Sequence, residues 1–316
     1  MSRSALIKDI EGQHSYLAED NVIVISSGRI VLSDGTTIVC SGGASSSDKD
    51  ATGDIAQTFV DILPFEVVEI HSAIKVYFTQ GEKYECEVEG PSGIIQHIMV
   101  ENDDSVLKIM PDASYNDSVS GVSVKLKAPR LAKVDTWQSS QFVALTDLNL
   151  PGNLELVVHQ SSGITMQNIK SATIVINIIQ AGRININAIE SLTATVIKVQ
   201  EAGSLTVNVQ ASSPSYSVFC KHGARVDLQG VVTEHIFAQT SDSSSLILSG
   251  KATRAEFASQ GASFINAQRL DADIAKVNAT EISQIDTSVS GNVERHATLI
   301  GKIIGFIKKK DKPVFF

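Results

Sequence analysis

The chain has 316 residues, 43% of them apolar but only 5% aromatic, and a net charge of −9 at pH 7. An acidic balance of this size excludes a protein that grips nucleic acid through counterion release. The absence of any apolar run of about 18 residues excludes a helical membrane span. The three cysteines, Cys40, Cys86 and Cys220, are odd in number and far apart, so no disulfide framework is expected.

Residues 1–57 form an N-terminal extension. Its first twenty residues lack the apolar core and small-residue cleavage site of a secretory signal, which favours a cytoplasmic location. Asp34-Gly35, between two apolar alternations, predicts a β-hairpin, because both residues suit a turn with positive φ; a stray coil is the less favoured reading. The Ser/Gly/Asp-rich stretch 41–54 reads as a linker or long loop. Residues 58–133 are densely β. Val67, the alternation Ile74/Val76/Phe78, the alternation Tyr84/Cys86/Val88 and the run Val106/Lys108/Met110 mark short strands, with a helical turn expected near Ile94–Val100.

Residues 134–301 repeat with a period of about twenty. Each period holds two alternating runs, such as Leu154/Leu156/Val158, Ile174/Ile176/Ile178, Leu192/Ala194/Val196, Tyr216/Val218/Cys220 and Ile236/Ala238. Between them stand short polar corners, QSSG, QAG, QEAG and CKHG. The period is too short for a helix pair and lacks the Leu/Asn frame of a leucine-rich repeat. What remains is an all-β solenoid, a parallel β-helix with one coil per period. The shortage of aromatic residues suits a narrow coil interior filled by stacked β-branched side chains. Residues 302–316 carry Ile303, Ile304 and Ile307, which continue a helical spacing from Leu299 and Ile300, ahead of Lys308–Lys310. This predicts an amphipathic, basic tail that caps the last coil; contact with an acidic membrane surface is the less favoured reading.

Phe65–Val68, Val76–Gly81, Cys86–Gly90 and Leu107–Ile109 reproduce a succession of motifs, with coils following from about Val134. In this the chain resembles the head GIN domain family, DUF2807, described as putative auto-transporter adhesins, over residues 58–301. The resemblance implies a right-handed β-helix and a cell-envelope setting, and it carries little information about activity.

No nucleophile elbow, phosphate loop, dinucleotide fingerprint or zinc motif occurs, so no catalytic residue, cofactor or metal is expected. The corner glycines Gly163, Gly182, Gly203 and Gly223 read as turn residues with positive φ. Gln160, Gln180, Gln200 and Gln260 read as a stacked amide column, which a bound sugar would also suit. Asp271 and Asp273, with Glu281, Asp286, Lys276 and Arg295 near in sequence, are the one acidic group to weigh as a Ca²⁺ or polysaccharide-cleaving site, against a solvated face. The expected function is a non-enzymatic structural or adhesive interaction module that forms a homo-oligomer, with a protein or glycan partner. The alternatives are a carbohydrate-binding or polysaccharide-cleaving β-helix protein and a bactofilin-like polymer.

Overall fold

The computed structural model describes residues 28–31, 37–40, 54–297 and 302–307. Within them the chain is a β-solenoid of about 8 turns. Each coil has three faces. The first face is built from Val67–Ile70, Lys133–Thr136, Leu154–Val158 and the second halves of the long strands that follow, paired parallel and in register: Val134↔Leu156, Leu156↔Ile176, Ile176↔Ile197, Ile197↔Val218 and Val218↔Ala238. The second face joins Lys75–Gln80 to Gln141–Ala144 and then to the first halves of those strands, Phe142↔Ile164↔Ile184↔Leu205. A short third face carries Leu148↔Ile169↔Ile189↔Ala211↔Val231.

Alternation sends every second side chain inward, where those of neighbouring coils stack. One inward column runs Ile70, Thr136, Val158, Ile178, Val199, Cys220, Thr240, Ser259 and Ala279, all buried. Aromatic rings concentrate near the N-terminal end, where Phe78 and Phe142 lie 5.7 Å apart. The burial pattern corrects one of the expected runs. Leu192 is exposed and Val196 only half-buried; Thr195, Ile197 and Val199 point inward instead. The cause is a register shift opposite Ser171/Thr173, which adds a residue to that coil and reverses the parity of the positions after it.

The solenoid begins before Val134. Val67–Ile70 and Lys75–Gln80 already form a coil, and Val106–Pro111 and Ser123–Ala128 form another. The later segment lies outside the earlier one: Val67–Ile70 is sandwiched between Val106–Pro111 and Lys133–Thr136. The outer coil is then closed by antiparallel strands. Ile98–Asp103 pairs with Val106–Pro111, Glu85–Pro91 with Ser123–Ala128, and Ile55–Val60 with Glu85–Pro91. This end is thereby covered by hairpin-like pairing, which protects the parallel edges behind it. The helical turn is confined to Ser92–Ile95, and Ile98 already starts a strand.

Where the N-terminal hairpin is predicted, Gly28–Val31 pairs antiparallel with Thr37–Cys40; the turn at Asp34-Gly35 lies outside the described residues. Residues 41–53 of the linker lie outside the described residues. At the other end Lys302–Ile307 is not helical. It is a parallel strand on Gln284–Val289, and residues 308–316 lie outside the described residues. A two-turn helix interrupted by Gly305 forms poorly alone, whereas the preceding coil offers a ready row of backbone partners.

Candidate functional site

The corner between the first and second faces sets what the outer surface displays. It is a four-residue unit: a leading residue that faces outward in most coils, two residues with positive φ in most coils, and a buried residue that is small from Ser140 onward. The positive-φ pairs are Ser72/Ala73, Gln138/Ser139, Gln160/Ser161, Gln180/Ala181, Glu201/Ala202, His222/Gly223 and Asp242/Ser243. Left-handed backbone costs an ordinary residue roughly 1–2 kcal/mol. Here a backbone ladder offsets it: Ala73, Ser139, Ser161, Ala181 and Ala202 donate their N–H groups to the carbonyls of Gln138, Gln160, Gln180, Glu201 and His222 in the next coil.

The small buried residue is Ser140, Ser162, Gly182, Gly203, Ala224, Ser244, Ser263 or Ser283. Where it is serine, its Oγ donates back to the preceding coil, to the carbonyls of Ile70 (3.1 Å), Thr136 (2.8 Å), Cys220 (2.9 Å), Thr240 (3.2 Å) and Ser259 (2.8 Å). The glycine expectation is therefore corrected. Of the four, Gly223 alone has positive φ. Gly182 and Gly203 are required by space, because an added Cβ would stand 2.5 Å from Val158 Cγ1 and 2.7 Å from Ile178 Cγ2. Gly163 has moved onto the second face, opposite Gln141.

The glutamine column is also rearranged. Gln138, Gln160 and Gln180 share the first positive-φ position, but Glu201 and Gly261 occupy it in later coils, leaving Gln200 and Gln260 one residue earlier. Among the described residues no side-chain hydrogen bond joins Gln160 to Gln180; the ladder there is one of main chain. The acidic group is dispersed. Asp271 lies on the third face beside Lys251, Glu281 at the corner, and Asp286 on the second face, where the amides of Gln284 and Gln268 donate to it at 2.9 and 3.3 Å. Asp271 and Asp273 are exposed, and Lys276 is on the first face, in register with Glu256 and Glu294. The side chain of Arg295 lies outside the described residues. No group of three or more His, Cys, Asp or Glu side chains suited to a metal exists among the described residues.

Register assembles a different site, on the outside of the first face. His71, Trp137 and His159 are the outward residues of three successive coils and stack face to face, with centroids 6.0 and 3.7 Å apart and planes within 11°. Beside them a shallow groove of about 290 Å³ is lined by Lys133, Asp135, Glu155, His159, Asn177 and Lys198, with Val157 and Ile179 supplying apolar surface. Asp135 is buried at 7% exposure. Its Oδ2 pairs with Lys133 Nζ at 3.1 Å; its Oδ1 accepts no hydrogen bond, and His159 Nε2 stands 3.5 Å away. Asn177 Nδ2 donates to Glu155 Oε1 at 3.1 Å. Burial pulls the Lys133 ammonium toward neutrality, but the bond and charge of Asp135, aided by Glu155 and Glu69, outweigh it and raise its pKa. For His159 burial prevails over the attraction of Asp135, and its pKa falls below the usual 6.5. Lys198 is exposed and has no ion pair among the described residues. Sequence reasoning missed this group because its members come from four coils and share no motif.

A search of curated proteins finds no match. Among solved structures the chain is similar to a putative adhesin from Parabacteroides merdae, with a TM-score of 0.64 at 13% identity, over 81% of this chain and 97% of that one. It is also similar to a putative adhesin from Parabacteroides distasonis, with a TM-score of 0.59 at 15% identity, over 81% and 96% of the two chains. At these identities the likeness concerns the fold. The sequence profile of one family matches residues 64–188 and again 188–305, so that nearly every coil is included, and the chain belongs to the family described as putative auto-transporter adhesin, head GIN domain.

Proposed function

We propose that this protein is a non-enzymatic adhesive module that binds its partner through the outer faces of the solenoid and associates with copies of itself at the C-terminal end. Membership of the head GIN family supports an adhesive or binding role. The observation that carries the self-association is that the coils end at the C-terminal side in a parallel strand without the antiparallel cover found at the N-terminal side, among the described residues. The N-terminal end is closed by three antiparallel pairings. At the other end Lys302–Ile307 pairs with Gln284–Val289, and among the described residues no strand pairs with its second edge, a row of backbone groups that suits a second copy.

Two measurements test this reading. Light scattering at micromolar concentration is expected to give more than one chain per particle, and removal of residues 302–316 to change that mass. A monodisperse monomer with and without the segment overturns the self-association. Beads coated with the protein are expected to adhere to cell-surface or matrix glycan and protein panels; coated beads that adhere to none of them overturn the adhesive role.

A further inference from the structure

We infer that the groove on the first face is a binding site for a short acidic oligosaccharide, with a sugar hydroxyl donated to Asp135 and a sugar carboxylate paired with Lys198. This rests on the adhesive reading above and names its ligand class. Among the described residues two groups in the groove are left incompletely satisfied, and they are of opposite kinds. Asp135 Oδ1 accepts no hydrogen bond among the described residues; His159 Nε2 is close at 3.5 Å, and the side chain is only 10% exposed. Leaving a buried carboxylate oxygen without a hydrogen bond is costly; this one has almost no contact with solvent, so a ligand hydroxyl donates to it, and recovers that cost, only as the His159 ring moves aside. Lys198 is an exposed cation at the other end of the groove, with no ion pair among the described residues. Asp135, Val157, Asn177 and Lys198 follow one another in register down a single outward column. At the spacing of paired strands, three steps place the carboxylate and the ammonium about 14 Å apart. A ligand that serves both must therefore be extended and carry a donor at one end and an anion at the other.

The floor between them chooses the class. Every main-chain group of this face is already engaged with the next coil, so a peptide cannot be added as a strand and recognition must run through side chains. Those side chains are Glu155 and Asn177, joined as an acceptor–donor pair, with His159 at the margin. Fixed carboxylate and amide groups of this sort suit vicinal hydroxyls. The net charge of −9 and the carboxylates in the groove oppose a nucleic-acid polyanion, whereas a glycan with carboxylates spaced among neutral hydroxyls meets both signs.

The test uses the full chain and calorimetric titration with two probes, an oligogalacturonate and a hyaluronan octasaccharide, against a neutral cello-oligosaccharide of similar length. At least one acidic probe is expected to bind at least tenfold tighter than the neutral one. Lys198→Gln, an exposed position, is expected to weaken that binding tenfold or more. Asp135→Asn is expected to do the same, its folding checked by circular dichroism. Lys276→Gln, on the same face several coils away, is expected to leave it unchanged. Absence of binding to both acidic probes, equal affinity for the neutral chain, or full affinity in Lys198→Gln overturns the proposal. If coated beads still adhere while the oligosaccharides neither bind nor compete, the ligand class is wrong and the adhesive role stands; if the beads adhere to nothing, the broader reading fails with it.

Discussion

Trp137 lies flat against His159, ring centroids 3.7 Å apart and planes 11° from parallel, although the two residues belong to different coils. The stack couples rungs that otherwise communicate through backbone hydrogen bonds and inward side chains. Stacked ring pairs contribute about 0.5–1.5 kcal/mol beyond the area they bury. Trp137→Ala is therefore expected to destabilise the N-terminal coils by about 2 kcal/mol in urea unfolding. A double-mutant cycle with His159→Ala should give a coupling of about 1 kcal/mol. A coupling indistinguishable from zero would mean that the rings are neighbours without energetic consequence.

The corner makes a second expectation, because two of its glycines are there for different reasons. At Gly182 the backbone is ordinary and the space is missing; at Gly223 φ is +76° and nothing lies within 4 Å of an added Cβ. Gly182→Ala should cost about 1–3 kcal/mol through overpacking and should be partly rescued by Val158→Ala, which removes the methyl it strikes. Gly223→Ala should cost about 1 kcal/mol through backbone strain, and no change at a neighbouring side chain should rescue it. Equal behaviour of the two variants toward Val158→Ala would refute the distinction.

These corners show where the sequence was readable and where it was not. Alternation at Leu154–Val158 and Tyr216–Cys220 named the inward residues correctly, because a half-buried strand imposes a period of two. The same reasoning placed Leu192 and Val196 inward and failed, since one inserted residue reverses every later position and leaves no compositional trace. Positive φ was assigned to glycine, whereas glutamine, serine, alanine and glutamate adopt it here with support from main-chain bonds to the next coil. That support is a long-range property. The exchange of coil order at the N-terminal end, and the groove around Asp135, depend likewise on which coil lies beside which.

The buried thiols give a probe of where the solenoid opens. Cys86 sits in the N-terminal cap and Cys220 in the middle coils, and burial pushes both thiols up to about 12, with Glu87 adding to the effect at Cys86. In a Cys40→Ser background the folded protein should react with a thiol reagent very slowly at pH 8, and the rate should be set by opening. Because solenoid coils contact chiefly their neighbours, graded urea is expected to expose the two cysteines at different concentrations. Simultaneous labelling of both at every concentration would show instead that cap and coils unfold as one unit.

The last prediction concerns acid. The folded-state pKa of His159 is lowered, chiefly by burial, while the unfolded chain keeps a value near 6.5. Between the two values the unfolded state binds more protons, so stability rises with pH across that window and is lost as the pH falls through it. Lys133 and Asp135 face the ring from the preceding coil, the first disfavouring and the second favouring the protonated form. Removing the carboxylate should therefore enlarge the loss. His159→Gln should flatten the part of the stability profile that lies just below pH 6.5, and Asp135→Asn should steepen it, measured as the urea midpoint from pH 7 down to pH 5. A steeper slope in His159→Gln, or a flatter one in Asp135→Asn, would show that a different group governs the acid response of this face.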